Sequence, residues 1–199
     1  MSRAPGSARH EAAPSQPGDG PGPDAPEIHV DWLDLPKWGA VGMTHCPGRR
    51  GPDAQGRLWQ RDLGKDLDSL VRLGTLGLVS LIDDAEFAAL GVAALPEAVA
   101  GRLRWLHMPV ANMQAPNARA LAAWRDSGAW IPGQLRAGGR VVFHCAAGLG
   151  RTGTVVAKLL SDVYGLSASD AVARVRQVRP GTIESPEQEA FVHGGRYFG

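Results

Sequence analysis

The stretch Val141-Val142-Phe143-His144-Cys145-Ala146-Ala147-Gly148-Leu149-Gly150-Arg151-Thr152-Gly153 passes from an apolar segment straight into a glycine-rich turn. It sets a cysteine and an arginine six positions apart. Arg140 to His144 reads as a short buried strand, and Thr152 to Tyr164 carries a helical pattern. A glycine-rich turn between strand and helix can aim successive backbone N–H groups inward, and the helix N-terminus adds partial positive charge. Gly148, Gly150 and Gly153 relax the steric limits on such a turn, while Ala146 and Ala147 keep the backbone close to what it holds. Arg151 supplies a planar fork for two phosphate oxygens. Ala146, Ala147, Gly148, Leu149, Gly150 and Arg151 thus read as a phosphate cradle with Cys145 at its base.

Thiols at helix N-termini and beside cations are far more reactive than a free thiol, because more of the sulfur is ionised. Cys145 is accordingly the candidate nucleophile. Attack on phosphorus would release an alcohol and leave a thiophosphate, which water then hydrolyses. This chemistry needs no metal and no cofactor. By position, Thr152 is a candidate to hydrogen-bond the departing sulfur, and His144 to orient the loop through its ring nitrogens.

Outward from this turn, strand and helix signals alternate. Ile28 to Leu33 and Ala40 to His45 read as strands, closed by the turn at Cys46-Pro47-Gly48. Asp62 to Leu73 spaces Leu63, Leu67, Leu70 and Val71 as a helix before Gly74, and Leu76 to Ile82 follows as a buried strand. Asp84 to Leu90 and Pro96 to Ala100 read as short helices, and Leu103 to Val110 as a strand. Asn117 to Arg136 reads as helix interrupted near Pro132-Gly133. Ala168 to Val178 and Pro186 to His193 complete the helices. The pattern predicts an α/β fold with a mostly parallel central sheet flanked by helices. Ligands in such folds sit at the carboxyl ends of the strands, where the quoted turn falls.

Residues 1–27 hold six prolines and four glycines among small and polar residues. That composition predicts a disordered tail, with residues 28–199 as the folded domain. The chain has 199 residues, 44% of them hydrophobic, and a net charge of +1, so no global field points to nucleic acid or a membrane surface as a partner. The two cysteines, Cys46 and Cys145, form neither a disulfide framework nor a metal-ligand spacing. His45, His107 and His193 have no ligand-like spacing either, and no metal is assigned. There is no long apolar run and no signal-peptide centre, which predicts a cytoplasmic protein. A monomer is expected.

His144-Cys145, five residues, then Arg151-Thr152-Gly153 resembles the signature of the cysteine-dependent protein tyrosine and dual-specificity phosphatases. The stretches VGMTHCPGRR, EFAALGV, RWLHMPVANMQAPN and RPGTIESPEQEAF resemble the kinase-associated phosphatase subgroup and its bacterial relatives. The likeness covers roughly Asp31 to Phe191. It implies the dual-specificity phosphatase fold, a phosphorylated protein as substrate, and a water-positioning role for Gln188.

The chain departs from that family at one point. The resemblance places a general-acid aspartate after the strand ending near Val110, and this chain carries Asn112 there, with Asn117 at a second aspartate position. Asparagine donates no proton to a leaving alcohol, and general acids contribute about 10² to 10⁴ in rate. The loss falls hardest on poor leaving groups, so an aryl ester such as phosphotyrosine is favoured over phosphoserine and phosphothreonine. Three readings stay open. One is a slowed phosphatase. A second relocates the acid to Asp83, Asp84 or Glu184. The third is a binding module that captures phosphoproteins without turning them over. No lysine or second arginine lies between Cys145 and Arg151, which favours a protein phosphoester over an inositol lipid. Arg49, Arg50, Arg57 and Arg61 read as a solvated basic loop. Cys46 is a candidate redox partner of Cys145.

Overall fold

The computed structural model describes residues 27–198. The expected tail therefore lies outside the described residues apart from Glu27, whose carboxylate accepts from Arg72 at 3.1 Å. The strands are Asp31–Asp34 (β1), Ala40–Thr44 (β2), Arg50–Pro52 (β3), Leu58–Gln60 (β4), Thr75–Ser80 (β5), Arg104–His107 (β6) and Arg140–His144 (β7). The α-helices are Leu63–Arg72 (α1), Asp84–Ala89 (α2), Leu95–Val99 (α3), Ala118–Ser127 (α4), Trp130–Arg136 (α5), Gly150–Leu159 (α6), Ala168–Val178 (α7) and Pro186–His193 (α8).

Five strands form a mixed, mostly parallel sheet in the order β1-β2-β7-β5-β6. β2, β7, β5 and β6 run parallel, and β1 caps the edge antiparallel to β2. Alternation along the strands divides the core between two faces. Val141 and Phe143 join Val41, Met43, Val79 and Leu81 on the face covered by α4 to α8. Val142 and Leu78 pack on the other face, against Leu67 and Leu70 of α1 and Val99 of α3. α6 is buried along its whole length, so the helix that begins at the candidate cradle is the central pillar of the larger layer.

The structure corrects three details. The break in the long helical pattern falls at Gly128-Ala129, and Pro132-Gly133 lies inside α5. Pro132 is the third residue of α5, where the backbone N–H has no intrahelical acceptor to lose. The helix expected from Thr152 starts at Gly150, and its last turn, Leu160–Tyr164, is π-helical before Gly165 ends it at a φ of 88°. β3 and β4 form a two-stranded ribbon, too short to show alternation in sequence. Asp53 holds this ribbon by accepting from the Arg57 backbone N–H, Arg57 Nε and Trp59 Nε1.

Candidate active site

β7 ends at His144 and α6 begins at Gly150, so Cys145 to Leu149 form the loop at the carboxyl edge of the sheet. Gly148 has a φ of 74°, and a Cβ there would collide with the Thr44 carbonyl, so the position demands glycine. Its N–H donates to Cys145 Sγ at 3.2 Å. Cys145 and Arg151 are 3% and 2% exposed, which places thiol and guanidinium inside the site rather than on its rim.

The loop carbonyls face away from this centre. Ala146 O accepts from the Cys46 N–H and from Arg49, each at 3.2 Å. Ala147 O accepts from Arg179 Nη2 at 3.0 Å, and Gly148 O from Arg179 Nε at 2.7 Å. The third Arg179 nitrogen, Nη1, pairs with Asp31.

His144 is fully buried beneath the loop. Its Nδ1 lies 3.2 Å from Cys145 O and its Nε2 lies 2.7 Å from Ser80 Oγ, which also accepts from Trp105 Nε1 at 2.9 Å. A carbonyl only accepts and an indole N–H only donates, so a neutral imidazole takes one proton pattern here. Trp105 donates to Ser80, the Ser80 hydroxyl donates to His144 Nε2, and His144 Nδ1–H donates to Cys145 O. Burial first, then Arg151 and His107, pushes the His144 pKa down to about 4, which selects the neutral imidazole and with it this pattern.

Arg151 is held by Glu86 through two hydrogen bonds, Nη1 to Oε2 at 2.5 Å and Nη2 to Oε1 at 2.8 Å, while Nη1 also donates to Val110 O at 2.9 Å. Burial alone would raise the Glu86 pKa, but the Arg151 hydrogen bond and the Asp83 N–H overcome it and hold the carboxyl below its ordinary range. Burial alone would lower the Arg151 pKa, and the bond to Glu86 holds it above the usual value. The two shifts run in opposite directions, and each favours the charged form of an ion pair.

The loop after β6 is different. Asn112 is exposed, and its neighbour Met113 has a φ of 62°. Of the three carboxylates considered as relocated acids, Asp83 caps α2 by accepting from the Ala85 and Glu86 N–H groups, and Asp84 pairs with Arg119 at 2.7 Å. Glu184 alone reaches the cradle, accepting from the Gly150 N–H at 2.8 Å. Gln188 is buried rather than exposed. Its Oε1 accepts from the N–H groups of Glu184 and Ser185, and its Nε2 donates to Gln114 O at 3.3 Å. Its amide therefore fastens the segment carrying Glu184 to the loop carrying Asn112. The Thr152 hydroxyl is buried with no hydrogen-bond partner among the described residues.

The family model "Swiss Army Knife protein, DSP-PTPase phosphatase domain" matches residues 59–192. The chain belongs to this phosphatase-domain family. Tyrosine-protein phosphatase CDC14 of Candida albicans is 39% identical over 54 residues, covering 27% of this chain and 10% of that protein. Dual specificity protein phosphatase CDC14C of Homo sapiens is 43% identical over 54 residues, covering 27% and 12%. The chain thus spans about a tenth of the length of these curated relatives. Among solved structures, a kinase associated phosphatase with serine replacing its catalytic site cysteine matches at a TM-score of 0.73. It is 23% identical, and the match covers 85% of this chain and 94% of that one. Tk-PTP in its active form matches at 0.60 with 27% identity, covering 82% and 92%. The dual-specificity phosphatase fold and the likeness to kinase-associated phosphatase follow.

Within this phosphatase domain, sequence reasoning passed over Glu86, Ser80, Trp105 and Arg179. Glu86 and Trp105 lay inside stretches that carry the resemblance, EFAALGV and RWLHMPVANMQAPN. Arg179 opens a further such stretch, RPGTIESPEQEAF, and Ser80 had no signal of its own. The basic loop is only half solvated: Arg50 and Arg57 are exposed or nearly so, but Arg49 stacks on Trp59, and Arg61 is buried in a paired fork on Asp66. Cys46 sits beneath the loop, where burial first and Cys145 second push its thiol up. Among the described residues no helix is long and apolar enough to cross a membrane.

Proposed function

We propose that the protein is a phosphatase that hydrolyses phosphotyrosine on protein substrates, and to a lesser degree phosphoserine and phosphothreonine, through a phosphocysteine at Cys145. One observation carries the reading: the sulfur lies in a loop that donates a backbone N–H to it, beside an arginine fixed in place by a carboxylate. In the first step the S–P bond forms and the ester P–O bond breaks. In the second, water attacks phosphorus, the S–P bond breaks and phosphate leaves. The unpartnered Thr152 hydroxyl is available to the departing sulfur.

Glu184 is the carboxyl placed to move the protons. Of the three carboxyls considered it is the one that reaches the cradle, where it gives a proton to the leaving oxygen and takes one back from the attacking water. Two cysteines free of disulfide suit a reducing, cytoplasmic setting.

The exposed Asn112 favours the competing reading, a module that binds phosphoproteins without hydrolysing them. Rapid-quench turnover of nitrophenyl phosphate and of a phosphotyrosine peptide separates the two. We expect a nitrophenol burst and a trappable phosphoenzyme from the wild type and neither from Cys145→Ser. A wild type without burst, beside a Cys145→Ser variant that binds phosphopeptide as tightly, would install the binding module instead.

A further inference from the structure

We propose that Arg179, braced by Asp31, is a positioning residue that turns the Cys145 loop into its phosphate-holding conformation. This rests on the loop binding phosphate, as argued above. In a trans peptide the C=O and N–H point in opposite directions. Fixing a carbonyl outward therefore aims the next residue's N–H inward. Arg179 takes the carbonyls of Ala147 and Gly148, and so sets the N–H groups of Gly148 and Leu149. The first of these is the one that reaches Cys145 Sγ. From another side chain, Arg49 takes Ala146 O and sets the Ala147 N–H in the same way.

The loop needs such an external constraint. Gly148 sits at its centre with a φ of 74°, and glycine admits alternative peptide orientations at little cost. A guanidinium suits the task because its fork spans two adjacent carbonyls while keeping a further N–H for an anchor. Asp31 is that anchor, and it belongs to the edge strand β1, so the brace ties the first strand of the domain to the loop after β7. Arg179 itself is placed by the end of α7, where its N–H donates to Val175 O and its carbonyl accepts from Thr182 Oγ1. His45 lies among these cations and adds no charge: burial first, then Arg61, Arg179 and Arg49, push it well below its ordinary pKa.

The test measures inhibition by inorganic phosphate, with kcat and KM, on the full chain. Charge-assisted hydrogen bonds of this kind predict that Arg179→Ala raises the phosphate Ki about tenfold or more, with Arg179→Lys between it and wild type. Asp31→Asn should raise Ki about threefold, and that increment should vanish in the Arg179→Ala background. A folded Arg179→Ala protein with Ki within about twofold of wild type, or an Asp31→Asn effect that persists without Arg179, overturns the proposal. Should Arg179→Ala not fold, unchanged Ki in both Arg179→Lys and Asp31→Asn overturns it equally. A wild type that binds no phosphate removes the underlying reading as well; a wild type that binds phosphate normally isolates the failure to Arg179.

Discussion

The loops after β7 and after β6 meet at the same edge of the sheet, yet they are held in different ways. The β7 loop is bonded from beneath by His144 and from outside by Arg49 and Arg179, and it runs directly into a buried helix. The β6 loop is tied largely by the start of α8: Ser185 donates to Met113 O, Gln188 to Gln114 O, and Glu187 accepts from the Ala115 N–H. The loop proposed to hold phosphate is thus built into the fold, whereas the side proposed to donate protons rests on a few side-chain contacts from one helix start. A carboxyl lost from the β6 loop can be supplied by the segment that fastens it, and Glu184 lies in that segment.

The sharpest way to break this contrast is to move the acid. Glu184→Gln should lower kcat/KM for phosphoserine peptides by about 10² to 10⁴ while leaving kcat/KM for nitrophenyl phosphate, whose phenolate departs without a proton, nearly untouched. Adding Asn112→Asp in that background should restore part of the loss. Steady-state kinetics with the two esters decides it: equal losses on both would show that Glu184 shapes the cradle and does not donate.

Acid should attack the β7 side selectively. His144 is held near 4 in the folded protein, against about 6.5 in an unfolded chain, so the unfolded state binds the extra proton between those values. Stability is therefore full above about pH 6.5 and falls as pH drops toward 4, by on the order of 3 kcal/mol. Glu86, held below its ordinary range, adds to the loss at still lower pH. Denaturant melts at several pH values should show this slope in wild type and a shallower one in His144→Asn, whose side chain does not titrate. An identical slope in both would assign the acid lability elsewhere.

The same contrast marks what the sequence made legible. α7 and α8 were readable to the residue, α7 because Val172 and Val175 repeat on its buried face and α8 because Ser185-Pro186 marks a helix start. The cradle was readable because strand, glycines and helix are contiguous. Arg179 and Asp31 meet across 148 positions, and Ser80 meets His144 across 64, and no local pattern announces a contact made only when distant strands assemble. Arg49 and Arg61 looked like surface charge because sequence shows a basic cluster but not the Trp59 ring and Asp66 carboxylate that bury it.

Glu86 offers the finest resolution of the comparison, since it touches both loops through Arg151: one guanidinium nitrogen bonds Glu86 and also Val110 O, at the entrance to the β6 loop. Glu86→Gln keeps the shape but removes the charge opposite a buried guanidinium. It should cost about 2 kcal/mol of stability, and a comparable factor in kcat/KM as Arg151 loses its fixed orientation. Glu86→Asp keeps the charge and loses the reach needed for two bonds and for the Asp83 N–H it also accepts. Neither variant keeps the two-point fork, since the Gln amide nitrogen only donates and faces a guanidinium that only donates. If charge alone places Arg151, the Asp variant retains more activity than the Gln variant, and if the fork is needed, the two fall alike. Calorimetry beside nitrophenyl phosphate kinetics reads both, and equal wild-type activity in the two variants would show that Val110 O alone suffices to aim the arginine.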